Sequence, residues 1–435
     1  MYLTFTFIII ERKKMKKNRI LYLYYCFISL LFTLESIVYI GDPGDQFSFA
    51  QLAKRYSFIE FALFRYKTWS SRLLIESFTM FFSAHYLIFK LCLFIGMFLF
   101  FYSFNGLIFN HKTSNKIKFI TPLLFWISFP GIFFTSAGLI ATMTNYLFPM
   151  IAFVIACYLL KENNKWFKIL SLPFIIFSCM QEQFTVFVFL LVLFVLIKKL
   201  FIEKKKLPLN YAILGIVSLL GLLSGLLSPG SKLRVVSEAK VWYPGFEKLT
   251  LFTKIAKGFL ETNRVLFLTS ELSVVFLVLL VLLSVSLIKK KWSATFISVG
   301  ILYILIINKL GIGGILSSLR RLIDIQNSRN DMLYFNVSEN LFPLLFYTTI
   351  LAIIAYGIYT SFENKKDGIN ATVILIIGYI SRMTVSLSPT IYASQLRTFT
   401  PLVFSLFIVS VLLIQEGTNY YNKSCRSKDS LKIII

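Results

Sequence analysis

An all-α, polytopic transmembrane helical bundle of about twelve spans, with structured loops on its extracytoplasmic face, is the architecture this sequence predicts. Three observations predict it. Hydrophobic residues make up 57% of the 435-residue chain and charged residues only 15%, whereas soluble domains sit near one half and one quarter. Apolar runs long enough to cross a bilayer core recur along the chain. The basic residues fall between those runs, in every second connection, as the positive-inside rule requires.

The formal charge of +25 invites a nucleic-acid reading, which the distribution excludes. Binding a phosphate backbone needs a continuous soluble basic face, and here Lys and Arg punctuate apolar segments. Membrane lipids, and no nucleic acid, are the expected surroundings. Cys26, Cys92, Cys157, Cys179 and Cys425 are scattered without a CxxC pair, so neither a disulfide framework nor a zinc site is indicated. The opening MYLTFTFIII is too short to span and precedes its basic run, Arg12 to Arg19, so no cleavable signal peptide is expected. Met15 with Lys16 and Lys17 forms a natural start for the first span, which sets residues 1–14 apart from the working protein.

In chain order, the candidate spans are 20–40, 87–109, 119–137, 145–160, 169–181, 184–200, 209–228, 265–288, 293–308, 341–361, 369–387 and 397–414. This divides the chain into a basic N-terminus (1–19), a transmembrane helical domain (20–414) and a tail (415–435). The basic connections are Lys112/Lys116/Lys118, Lys161/Lys165/Lys168, Lys198/Lys199 with Lys204 to Lys206, Lys289 to Lys291 and Lys365/Lys366. The tail adds Lys423, Arg426, Lys428 and Lys432. The short alternate connections, near 138–144, 181–183 and 388–396, carry no Lys or Arg. Both termini are therefore expected in the cytoplasm.

Three outer loops are long, 41–86, 229–264 and 309–340, and each contains a stretch with helical periodicity. In the first, Leu52, Tyr56, Ile59, Leu63 and Tyr66 form one apolar stripe, which describes a single helix lying in the outer membrane interface. Leu249, Phe252, Ala256 and Phe259 form the stripe of the second, and Ile315, Leu319 and Leu322 flank Arg320 and Arg321 in the third. The spans between 169 and 200 are short and are interrupted by Gln181-Glu182-Gln183. Such broken helices are tolerated where they line protein or a wet cavity.

An ionisable side chain inside a span costs from about 2.5 kcal/mol upward, so each needs a reason. Glu35, Lys90, Glu182, Glu271 and Arg382 all fall toward the outer ends of their spans, which predicts a polar cavity opening outward. Lys90 and Arg382 can also snorkel on their own stems. Glu182 has a short reach and sits between two truncated apolar halves, which favours a functional role. In the first outer loop, Gly-Asp42-Pro-Gly-Asp45 is followed by Trp69-Ser70-Ser71-Arg72 and Glu76. Asp42 reads as a turn residue. Asp45 reads either as the cap of the next helix or as a carboxylate able to take a proton from a hydroxyl. Together they also offer two oxygen ligands to a divalent cation, a weak site without more ligands; no other metal site or cofactor is indicated. In Ser228-Pro229-Gly230-Ser231-Lys232-Leu233-Arg234, Pro-Gly predicts a turn that presents Lys232 and Arg234 to a phosphate group or to anionic lipid heads. Ser388-Pro389 followed by Arg397 repeats the pattern.

Four stretches carry a family resemblance in their order along the chain: GDQFSFA with Tyr66-Lys67-Thr68-Trp69-Ser70-Ser71-Arg72; Thr144-Asn145-Tyr146-Leu147-Phe148-Pro149; Gln181-Glu182-Gln183; and Ser228 to Arg234. With them the chain resembles a family of polytopic bacterial membrane proteins, itself similar to serotype glucosyltransferases and other GT-C type glycosyltransferases of surface-polysaccharide loci. The family pattern has an acidic pair where Asp45-Gln46 stands, Gly where Ser71 stands and Asn where Ser231 stands. These departures weigh against a two-carboxylate metal site. The resemblance implies a GT-C-like fold in the bacterial cell membrane, a sugar donor on a polyprenyl phosphate, and a glycan or lipid-linked acceptor outside. It implies Asp45 as general base, Lys232 and Arg234 with Arg72 or Arg397 on the leaving phosphate, and Glu182, Asn145 and Tyr146 around the sugar. Two other classes stay open. A polymerase of lipid-linked repeat units would place its working arginines, such as Arg234 or Arg320, in the later loops. A flippase would show inverted repeats and midplane charges, and neither is evident.

Overall fold

Apolar runs set the lengths of the helices, and proline, glycine and capping side chains set their ends. The computed structural model describes residues 19–432 apart from 40, 42, 43, 110–114, 163, 270 and 328–330. The helix α1 (Arg19–Val38) is followed by three short helices, α2 (Asp45–Leu52), α3 (Phe58–Thr68) and α4 (Leu73–Ala84), and then by α5 (Tyr86–Ile108) and α6 (Asn115–Ser128). Next come α7 (Leu139–Lys161), α8 (Lys165–Ser178), α9 (Glu182–Ile202) and α10 (Leu209–Leu227). Two more short elements, α11 (Pro229–Trp242) and α12 (Leu251–Phe267), precede α13 (Ser273–Ile288), α14 (Trp292–Lys309) and α15 (Ile315–Asn327). The chain closes with α16 (Val337–Ser361), α17 (Lys365–Leu387) and α18 (Leu396–Cys425), the last running on as helix to Lys432.

The protein is all-helical, with no strand among the described residues. Nine helices there are long and apolar enough to cross a membrane: α1, α5, α7, α9, α10, α14, α16, α17 and α18. Three of the twelve expected spans are shorter. Span 119–137 is α6, of 14 residues, because Pro130 follows it and the chain turns through a 3-10 segment, Gly131–Phe134. Span 169–181 is α8, also 14 residues. Span 265–288 is broken, with α12 ending at Phe267 and the 16-residue α13 starting at Ser273. At about 1.5 Å per residue, none of these three covers a bilayer core of about 30 Å. The helix α18 continues through the tail boundary expected at 415.

The single interfacial helix expected over Leu52 to Tyr66 is two helices. Ser57 caps α3 in a capping box with Glu60, whose carboxylate accepts from Ser57 N at 2.9 Å, and this stops any continuation from α2. Ile59 and Leu63 of the expected stripe remain exposed, while Phe61 and Ala62 are the buried side. Asp42 lies outside the described residues.

Burial separates the helices into centre and rim. The apolar windows of α7 and α18 are 89% and 83% buried, and that of α10 only 11%. Phe407 of α18 packs against Phe104 and Phe125 at ring distances of 4.8 and 5.6 Å. Ile216, Leu219, Leu220 and Leu223 of α10 face outward. A helix apolar all round yet unburied belongs against lipid tails. The fold is that of a helical membrane protein.

Candidate functional site

The polar cavity begins with a close backbone contact. Gly44 meets Gly138 so tightly that a Cβ on Gly44 would lie 2.3 Å from the Gly138 Cα, and Gly138 itself holds a φ of +84°, a conformation open to glycine. Asp45 N donates to Ala137 O at 2.9 Å, and Ile140 N donates to Gln46 Oε1 at 3.0 Å. The start of α2 is thereby pinned to the entry of α7. Asp45 is the first residue of α2, Gly44 holds the N-cap position, and no side chain caps the helix, so the cap reading of Asp45 falls.

The Trp-Ser-Ser-Arg segment folds around a carboxylate. Ser70 Oγ donates to Glu76 Oε1 at 3.0 Å and Arg65 Nε to Glu76 Oε2 at 3.0 Å. Arg65 also stacks over Trp69, 5.1 Å from its ring centroid. Arg72 then points across the bundle: Nε donates to Glu182 Oε2 at 2.7 Å and Nη1 to Asn145 Oδ1 at 2.9 Å. Asn145 and Tyr146 sit on a π-helical segment, Met143–Leu147, inside α7. Such bulges rotate side chains out of the regular helical register and are frequent at functional sites.

The Ser-Pro-Gly motif starts a helix rather than a turn. Ser228 Oγ caps α11 by accepting from Ser231 N, and it donates to Tyr66 O at 3.2 Å. Gly230 permits the contact, since a Cβ there would lie 2.3 Å from Trp69 N. This docks α11 on the end of α3, with Arg234 facing inward and 3.6 Å from Glu238. On the opposite wall, Arg397 lies in a 3-10 turn, Leu396–Phe399, entered through Gln395 at φ +48°. That value is strained for a non-glycine residue.

These elements enclose a cavity of about 270 Å³ lined by Asp45, Arg65, Trp69, Arg72, Glu76, Asn145, Tyr146, Arg234, Glu238 and Arg397. Six of the residues singled out in the sequence meet there: Asp45, Arg72, Asn145, Tyr146, Arg234 and Arg397. Glu182 is outside the lining and is the partner of Arg72. Lys232 does not join them; it is exposed and absent from the lining. The reason is geometric, because two residues apart on a helix means about 200° of rotation, so Lys232 and Arg234 cannot face one cavity. Arg65, Glu76 and Glu238 also line the cavity and are not marked out as site residues by any motif. Their only signal was the presence of charges one or two turns from the motifs.

Most charges in the cavity are matched: Arg65 with Glu76, Arg72 with Glu182, Arg234 with Glu238. Asp45 and Arg397 are the exceptions; neither side chain has a hydrogen bond or ion pair among the described residues. Burial pushes the Asp45 carboxyl above its usual range, with Arg397 opposing the rise and Glu76 adding to it. For Arg72, burial works against the charge, but the Glu182 carboxylate outweighs it and holds the guanidinium above its ordinary value. Among the described residues, no group of three or more His, Cys, Asp or Glu could hold a metal ion.

The other ionisable residues of the spans are placed elsewhere. Glu35 accepts from Trp126 Nε1 at 2.5 Å and from Gly131 N at 2.9 Å, tying α1 to the end of α6. Lys90 lies over the Tyr86 ring at 3.7 Å. Glu271 is exposed in the break between α12 and α13. Gln181 caps α9 by accepting from Phe184 N, and Gln183 Nε2 donates to Thr398 O at 2.9 Å. The Gln-Glu-Gln triplet thus starts the helix, pairs with the cavity arginine and ties α9 to the Arg397 turn.

Fold and site together define a polytopic helical membrane protein with an arginine-lined polar cavity. Comparison with protein-family models, with curated proteins and with solved structures finds no match, so the function is argued from this chemistry.

Proposed function

We propose that the chain is a membrane glycosyltransferase that moves a sugar from a polyprenyl-phosphate donor to a surface glycan, at the outer face of a bacterial cell membrane, with both termini cytoplasmic. The observation that carries this reading is the Asp45 carboxylate sharing one cavity with the Arg397 guanidinium, both unpaired among the described residues. Glycosyl transfer needs both a base and a cation. An oxygen of the acceptor hydroxyl bonds to the anomeric carbon and its proton passes to Asp45. The bond from that carbon to the phosphate oxygen breaks, the electron pair leaves with the phosphate, and Arg397 and Arg234 meet the charge that develops. Arg72, locked by Glu182 and Asn145, and Tyr146 present hydrogen-bonding groups to the sugar.

A polymerase would make Arg234 or Arg320 a working residue; Arg234 lines the cavity, whereas Arg320 Nη2 donates to Leu268 O at 2.6 Å and Arg320 is not in the lining. The test is the composition and linkage of the host's surface polysaccharide with the chain intact, deleted, and carrying Asp45→Asn. Loss of one side-chain sugar in both mutants, with polymer length kept, is the expected result. Collapse to single repeat units on deletion, with Asp45→Asn behaving as the native chain, would overturn it in favour of a polymerase.

A further inference from the structure

Arg382 is a buried cation that the proposed transfer does not use. It is 2% exposed, its Nε has no hydrogen-bond partner, and no ion pair reaches it among the described residues. The Phe399 ring lies 4.2 Å from the guanidinium carbon. A guanidinium carries five N–H donors, and a buried charge left unpaired is strongly unfavourable. Folded proteins keep such a group where something else completes it.

Its neighbours say what that could be. Phe399 shares the 3-10 turn with Arg397 of the polar cavity. Tyr146, an ionisable neighbour of both Arg382 and Arg72, lines the same cavity. On the other side, one turn earlier on α17, Tyr379 is held by Asn263 Nδ2 at 2.7 Å and lines a second cavity of about 240 Å³. The walls of that cavity are apolar, among them Val278, Leu351, Leu375 and Leu402. Glu261, the nearest carboxylate to influence Arg382, is occupied by Arg264 at 2.7 Å. Arg382 itself lines neither cavity, but residues beside it, Tyr379 on one and Tyr146 on the other, line both.

We propose that Arg382 binds the phosphate of an amphiphile whose hydrocarbon chain occupies the apolar cavity beyond Tyr379 and whose polar head enters the cavity beyond Tyr146. This rests on the reading above and deepens it by assigning the residue that holds the donor on its lipid side. Phe399 is the side chain that an incoming phosphate displaces, and Arg397, two residues away, meets the same group from the polar side. A soluble phosphate compound would use Arg382 without the apolar cavity, so the shared chemistry is a phosphate ester and the two sources can be separated.

The test measures equilibrium binding to the purified full chain in detergent, with farnesyl phosphate, farnesol and inorganic phosphate as probes. No sugar and no transfer step is involved, so this result and that of the polysaccharide assay can fail independently. Farnesyl phosphate should bind at least tenfold more tightly than either other probe. Arg382→Met should lose at least tenfold in farnesyl phosphate affinity and leave farnesol unchanged, and Arg382→Lys should lose less. Leu402→Trp, which fills the apolar cavity, should weaken both farnesyl compounds. Thermal unfolding supplies a readout that a structural role would not give: farnesyl phosphate raises the midpoint of the native chain but not of Arg382→Met, whose ligand-free midpoint does not fall. If Arg382→Met does not fold, the comparison is made with Arg382→Lys and Arg382→Gln. Unchanged farnesyl phosphate affinity in folded Arg382 variants would overturn the proposal. Inorganic phosphate binding as tightly as farnesyl phosphate would overturn the amphiphile.

Discussion

Lys289 with Glu416 and Arg72 with Glu182 are both ion pairs whose cation is withdrawn from solvent, and Arg72 of the second lines the polar cavity. They lie toward opposite ends of α18, since Arg397 and Glu416 are separated along it by roughly 30 Å. Lys289 is completely buried and donates to Ser361 O at 2.7 Å as well as to Glu416, and Glu416 also accepts from Glu363 N at 2.8 Å. Its ammonium lies 5.7 Å from the Tyr420 ring. That pair joins α13, α16 and α18. Arg72 spends three contacts on Glu182 and Asn145 and turns the rest of its fork toward the cavity. The lesson is that a buried ion pair is a clamp or a binding surface according to the hydrogen-bonding capacity it has left over.

The comparison can be broken most strongly at the clamp. Lys289→Ala leaves Glu416 without its cation and should cost about 3–5 kcal/mol, read as a lower thermal midpoint or loss of folded protein from detergent extracts. A midpoint equal to that of the native chain would mean that the pair holds nothing together. At the cavity, Arg72→Lys keeps the charge but loses the planar fork. Sugar transfer should fall about a hundredfold, while the midpoint moves much less than for Lys289→Ala. Equal losses of stability at the two sites would erase the distinction.

A smaller effect concerns pH. Asp45 must be ionised to act as a base, and its carboxyl is raised by burial and held down in part by Arg397. Transfer should therefore rise with pH through a value above the usual carboxylate range. Arg397→Gln should move that rising limb to still higher pH, besides slowing the reaction. A pH–rate profile whose limb moves the other way would remove Asp45 as the base. Stability has the opposite sign: a carboxyl raised on folding favours the native state when protonated and loses that contribution as pH climbs through its folded value. Asp45→Asn should thus lose transfer without losing stability at neutral pH, as followed by thermal unfolding. The smallest effect belongs to Lys232→Ala, an exposed position outside the cavity, which should leave transfer and midpoint unchanged within about 0.5 kcal/mol.

Much of the site was legible because its residues are costly where they stand. Glu182 in an apolar stretch, and Asp45 and Arg72 in one polar loop, each called for a reason, and the cavity supplies one. Pro229-Gly230 reads as a turn in sequence, but Ser228 supplies the cap that makes it a helix start and turns Lys232 away from the cavity. Arg65 and Glu76 went unassigned because nothing local distinguishes a charge facing a cavity from one facing solvent. The spans at 119–137 and 265–288 were overextended because averaged hydropathy passes through breaks such as Pro130-Gly131 that end a helix.

What the sequence determined by itself is the helical membrane class, the approximate positions of the long spans and the rule that every intramembrane charge needs a partner. These follow from solvation, a nearly additive and local property of a segment. Only the tertiary structure decided which charges are matched. Arg72 and Glu182 are 110 residues apart in sequence, and Asp45 and Arg397 come from opposite ends of the chain. Whether a charge is cancelled or left available depends on contacts that form only when the helices pack.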